Sequence, residues 1–242
     1  MRLPSRLKKF FVWSQEHTYA YLLLALLAMT LSGPVLHWVP TIKVVDEYLV
    51  IAVLLAAVYN VTRESRHVYI ALGLGFPAIL AQLMSAYIEE ISFWGGTLIF
   101  VSAFVFFGYL FGKIVGDVTR GNRLSGEKIF GSICAYFLLG VIWSLAYSYM
   151  DLVHPGSFSM NENLTAWRES HGGSTPQAFF VYYSFVTLTT LGYGDITPVT
   201  MLARTLSWLE ALVGQLYLAI MVARFVGIHV AEALRRDTQD AD

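Results

Sequence analysis

The sequence predicts an all-α integral membrane protein of six transmembrane helices plus a re-entrant helix and loop. Three observations carry this expectation. Hydrophobic residues make up 56% of the 242 and charged residues only 14%, with a mean hydropathy of +0.58, whereas a soluble domain is roughly a quarter charged. The apolar stretches are close to the ~20 residues a helix needs to cross the hydrocarbon core. Lysine and arginine fall on alternate connections between those stretches. The net charge of −1 leaves no basic field for nucleic acid, so no nucleic-acid partner is expected. A single cysteine, Cys134, excludes an intrachain disulfide framework and a thiolate metal cluster.

The first span is expected over residues 19–39. The second, over 48–61, is short and borrows Val44 and Val45 across Asp46 and Glu47. The third covers 68–88, with Pro77 as a kink. The fourth, fifth and sixth cover 97–115, 129–150 and 199–222. A further apolar run, 178–188, is too short to span and fits a re-entrant segment, which a membrane tolerates only where protein or water satisfies its backbone. The basic start before the first span has the look of a leader, but the apolar core is long and no small-x-small site follows, so a retained helix is expected.

One set of loops and ends holds Arg2, Arg6, Lys8, Lys9, Arg63, Arg66, Lys113, Arg120, Arg123, Lys128, Arg224, Arg235 and Arg236, and the other holds only Lys43, Arg168 and Arg204. Both termini are therefore expected in the cytoplasm of a multi-pass plasma-membrane protein. The stretch 117–128, charged and glycine-bearing, reads as a cytoplasmic linker between two modules. The longest outer loop, 151–175, is rich in turn residues: Pro155, Gly156, Gly172 and Gly173.

Residues 187–198 read Thr-Leu-Thr-Thr-Leu-Gly-Tyr-Gly-Asp-Ile-Thr-Pro, on the outer side, after the non-spanning helix and before the last span. This segment resembles the selectivity filter of the potassium channel family, in which main-chain carbonyls replace the ion's hydration shell. Such a row of carbonyls needs left-handed residues, because an ordinary strand alternates its carbonyls. Glycine takes that conformation without steric cost, which accounts for Gly192 and Gly194. The resemblance implies potassium binding at Thr190, Leu191, Gly192, Tyr193 and Gly194, with the Thr190 hydroxyl as innermost ligand and Tyr193 braced against aromatics away from the pore. It implies support from Thr189, Asp195, Tyr182 and Tyr183. Thr175 as N-cap and Pro176 at the first helical position open the preceding helix. Val186 departs from relatives that place a glutamate there to bond the aspartate beyond the filter.

One chain supplies one filter, so the resemblance implies a homotetramer, each subunit with three identical partners and lipid around it. The chain then divides into a cytoplasmic segment 1–18, a four-helix module 19–120, a pore domain 121–230 and a short cytoplasmic tail 231–242. Within the pore domain lie an outer helix 129–150, a pore helix 176–189, the filter 190–194 and an inner helix 199–230.

In the inner helix Gly214 sits where the family often carries a hinge, and Arg204 also matches a family position; close packing of Gly214 against 129–150 is the competing reading. From Gly214 the family register puts Gln215, Leu218 and Val222 on the cavity below the filter, with Val226 and Val230 continuing an apolar constriction. Glu210 is an acid inside a spanning helix, which is costly and marks function by default. It bonds the back of the filter, pairs across subunits, titrates as a gate, or serves as a structural acid bonded to a neighbouring helix.

The six-span plan is that of voltage-gated channels, but voltage sensing needs three or four gating charges per subunit. Residues 97–115 hold only Lys113, so weak voltage dependence at most is expected, and the first four helices are left to scaffold, sense lipid or tension, or bind a partner. The six histidines (His17, His37, His67, His154, His171 and His229) lack ligand-like spacing, and no cofactor beyond permeant potassium is expected. Asn163-Leu164-Thr165 is a glycosylation pattern. Glu162, Glu169 and Asp195 are expected to concentrate cations at the mouth. The function expected is a potassium-selective channel, not an enzyme; the alternative is a non-conducting membrane sensor or scaffold with a pore-like fold.

Overall fold

The computed structural model describes residues 18–36, 73, 93–120, 125–170 and 177–239. The expected spans 48–61 and 68–88, with Pro77, lie outside the described residues apart from helical Gly73, as do Thr175, Pro176 and His171.

The elements in chain order are α1 (Thr18–Leu36), α2 (Phe93–Thr119), α3 (Gly126–Val153), β1 (Phe158–Met160), α4 (Glu162–Ser170), α5 (Gln177–Leu188), β2 (Ile196–Pro198) and α6 (Met201–Gln239). Three of these, 95–119, 126–153 and 201–235, are long and apolar enough to cross a membrane, and α5 is an apolar helix too short to do so.

Caps set the boundaries. Ser125 accepts from Lys128 N at 3.4 Å and Glu127 stands in the first turn of α3, where acids suit the helix dipole. The amide of His154 closes the other end on Met150 O at 2.8 Å. Thr200 starts α6 by accepting Ala203 N on Oγ1 at 3.3 Å and Arg204 N on its carbonyl at 3.0 Å. That cap places the start at Met201, not at the expected 199. The far end overshoots the expected 222 and 230 as well, because Glu232, Ala233, Leu234, Arg235 and Arg236 are good helix formers and no glycine or proline follows Gly227. Hydropathy fades there, but helix does not. At 39 residues, α6 is about 58 Å long, roughly twice the hydrocarbon thickness.

The expected linker 117–128 shrinks for the same reason. Helix α2 continues to Thr119, with Asp117 holding Lys113 at 3.9 Å and Arg120 at 3.8 Å one turn either side, and α3 already begins at Gly126. The expected outer loop holds regular structure too. β1 and β2 pair antiparallel with Phe158 opposite Pro198, Ser159 opposite Thr197 and Met160 opposite Ile196, and α4 starts on an Asn161 cap that accepts Leu164 N at 2.9 Å.

Helix α3 packs against α1, α2, α5 and α6. Buried Phe106, Leu110, Ile114 and Val118 recur every four residues along one face of α2 and meet Leu22 and Leu26 of α1 and Cys134, Leu138 and Val141 of α3, with Met221 of α6 closing the cluster. A second cluster lies behind the loop 189–195 and joins Tyr147 and Met150 of α3, Phe180 and Tyr183 of α5, Ala203 of α6 and Phe158 and Ile196 of the ribbon. Helix α6 is different: 11% of its most apolar stretch is buried within the chain, against 50% for α3. Most of its apolar surface is not buried within the chain.

Candidate functional site: the loop after the short helix

Every carbonyl at the end of α5 has a partner. Phe185 O accepts Thr189 N at 3.1 Å, Thr187 O accepts Thr190 N at 2.9 Å, and Val186 O accepts Leu191 N at 2.9 Å and Gly192 N at 3.3 Å. Leu188 O receives the Tyr136 hydroxyl of α3 at 3.3 Å. The pair of bonds 191→186 and 190→187 is the Schellman closure, whose turning residue is left-handed and is usually glycine. Here that residue is Thr190, at φ 59°. A β-branched residue in this region is a genuine outlier.

The pattern then repeats. Gly192 has φ 60° and Gly194 φ 78°, while Leu191 and Tyr193 between them keep the ordinary sign. The sequence pointed to glycine at 192 and 194; it gave no hint that Thr190 adopts the same conformation. Residues 189–194 are all exposed within one chain, Tyr193 at 68%, and among the described residues no aromatic encloses that ring.

The two tyrosines of α5 part company. Tyr182 turns outward and donates to Asp195 Oδ2 at 2.6 Å. Tyr183 is buried and shares a 2.6 Å bond with Ser207 Oγ of α6, inside edge-to-face contacts with Tyr147 and Phe158. Asp195 is fixed further by its main chain, since its carbonyl accepts Asn161 N at 2.9 Å where β1 runs into α4. Val199 N to Ser157 O at 2.8 Å and Arg204 Nε to Pro198 O at 3.2 Å secure the return to α6. At 186 the side chain is valine, and the main-chain carbonyl does the fastening. Thr189 spends its hydroxyl on Phe185 O at 2.6 Å.

The nearest neighbours of Gly214 lie on α5. A Cβ there would meet Leu188 O at 2.6 Å and Leu188 Cδ1 at 2.8 Å. The end of the short helix therefore rests on Gly214. Gln215, Leu218 and Val222 are exposed within the chain. Glu210 is fully buried and accepts from the Tyr147 hydroxyl on Oε2 at 2.6 Å, while Oε1 lies 2.5 Å from Ser184 Oγ of α5. Within one chain Glu210 is thus bonded to two neighbouring helices, one of which carries the loop.

Sequence reasoning missed Tyr136, Tyr147, Ser184, Ser207 and Gln177, the last bonded to Ser148 and, at 3.2 Å, to Ser144. Polar groups inside otherwise apolar helices were the available signal, because each must find a partner. His154 is exposed as the C-cap of α3 and His229 is exposed on α6. Among the described residues no cluster of histidine, cysteine, aspartate or glutamate is grouped to hold a metal ion.

Residues 132–230 match a family model described as Ion channel. The matched span takes in most of α3, all of α5 and the loop, and α6 as far as Val230. Together with the apolar helices, the match supports ion transport by a multi-pass membrane protein, and an ion channel generally works as an assembly of subunits. No curated protein matches the chain, and no solved structure does.

Proposed function

We propose that the chain is the subunit of a homotetrameric potassium-selective channel, with residues 190–194 as the filter and α6 as the inner helix. The observation that carries this reading is the alternation of left-handed Thr190, Gly192 and Gly194 with Leu191 and Tyr193, whose φ keeps the ordinary negative sign. Uniform strand dihedrals send successive carbonyls to opposite sides. Alternating the hand from residue to residue turns them to one side, as a column of ion-coordinating oxygens requires.

The tetramer is supported by what one chain leaves uncovered: the whole loop 189–194, the Tyr193 ring and most of α6. Three further copies around a common axis supply the remaining carbonyls and the surroundings of Tyr193, and lipid covers the outward helices. Gln215, Leu218 and Val222 then face the cavity, and exposed Glu162 and Glu169 on α4 join Asp195 at the mouth. The chain acts without an enzyme's chemistry or a bound cofactor, and sits in the plasma membrane with both termini in the cytoplasm. Gating is not intrinsically voltage-driven, since α2 carries only Lys113 along its apolar length.

Full-length protein reconstituted in liposomes tests this reading. Potassium uptake blocked by Ba²⁺ is expected. A folded protein that passes no ion under changes of pH, tension or voltage would be a sensor or scaffold instead.

A further inference from the structure

Ser184 Oγ lies 2.7 Å from Gly140 O of α3 and 2.5 Å from Glu210 Oε1 of α6. Both neighbours are acceptors if Glu210 is ionised, yet a serine hydroxyl has one proton to give. One of the two short oxygen contacts would then hold no proton and be repulsive. The neighbouring hydroxyl chain has no such conflict. Tyr183 donates to Ser207 across 2.6 Å and Ser207 donates to Ala203 O across 2.7 Å, two contacts served by two hydroxyl protons.

The Glu210 chain closes in the same way only if the carboxyl group contributes a proton. Tyr147 then serves Oε2, Glu210 Oε1–H serves Ser184, and Ser184 serves Gly140 O. Burial agrees with this count. Glu210 is fully buried, and among the described residues no basic side chain pairs with it; an ionised carboxylate in such a place is far costlier than the neutral acid.

We propose that Glu210 is a positioning residue, held as the neutral carboxylic acid, which donates to Ser184 and thereby fastens the helix bearing the filter to both the inner and outer helices. The positioning role rests on the channel reading; the proton assignment rests on the contacts alone.

The test is infrared spectroscopy of the full-length protein in lipid nanodiscs at neutral pH, comparing wild type with Glu210→Gln and Ser184→Ala in H₂O and D₂O. The wild-type-minus-Gln difference should contain the carbonyl stretch of a protonated carboxyl group, displaced downward in D₂O. Ser184→Ala should move that band upward, as its acceptor is lost. Carboxylate stretches in place of the band, or a band indifferent to Ser184→Ala, would overturn the assignment. In reconstituted flux, Glu210→Gln keeps both a donor and an acceptor and should retain potassium selectivity, whereas Glu210→Leu should lower potassium flux by about tenfold or more. Loss of selectivity in the Gln variant despite intact folding would overturn the positioning role. Absence of potassium flux in the wild type would remove the channel reading while the infrared band still decides the proton.

Discussion

Thr190 occupies a conformation that glycine would adopt freely, at a cost of roughly 1–2 kcal/mol for a side-chain-bearing residue. If only a turn were required there, glycine would serve better; in the channel reading the Thr190 hydroxyl is the ligand that glycine lacks. Thr190→Gly should therefore leave thermal stability unchanged or raised while potassium flux falls. Gly192→Ala should lose flux, because a methyl at φ 60° is strained although nothing of its own chain lies within 4 Å of it. A Thr190→Gly variant with wild-type flux would show that the hydroxyl is not used. Gly214 makes the opposite case, a contact without unusual dihedrals. Gly214→Ala drives a methyl into Leu188 O and should destabilise by about 1–3 kcal/mol. Gly227→Ala, with open space around it, should be neutral or stabilising by up to about 1 kcal/mol. Thermal melts of the two variants decide this, and equal melts would return Gly214 to the role of hinge.

Among the elements, the ribbon β1–β2 and helix α4 are what the sequence concealed. A three-residue strand such as Phe158–Met160 is too short to show alternation, and its partner lies beyond two helices, so only the folded chain reveals the pairing. The long apolar helices were legible because bilayer thickness imposes their length, and the loop 190–194 because left-handed positions favour glycine, at 192 and 194. Helix ends were not: hydropathy reports apolar composition, and α6 stays helical beyond its apolar stretch, through Glu232, Arg235 and Arg236. The ribbon also matters to the site, since it delivers Asn161 N to Asp195 O. Asn161→Ala removes the α4 cap only and should cost about 1 kcal/mol locally, read as faster amide exchange at Leu164, with flux unchanged. Asn161→Pro also removes the donor to Asp195 and should lower flux. If both variants conduct as wild type, the ribbon does not hold the filter's outer end.

For the whole molecule, the helices ahead of the pore region are tied to it by apolar packing and by a few polar bonds near one end. Arg224 of α6 donates to Thr119 O at the end of α2. Tyr19 at the start of α1 donates its amide to Glu127 at 3.0 Å and its hydroxyl to Asp117 at 3.2 Å. These bonds link α1 and α2 to each other and to α3 and α6, and among the described residues neither α1 nor α2 carries a row of basic side chains. Gating charge should fall far below the three or four per subunit of a voltage sensor, measured as the slope of open probability against voltage; a steep slope would place a sensor in residues not described. The proposed tetramer left no trace in one chain's sequence beyond the single loop 190–194, because symmetry belongs to the assembly.

Potassium selectivity through main-chain oxygens is tested most directly by the reversal potential of the purified, reconstituted protein with K⁺ on one side of a bilayer and Na⁺ on the other. A carbonyl column at 190–194 requires a reversal potential far on the potassium side. A value near zero, with the two ions passing alike, would contradict it.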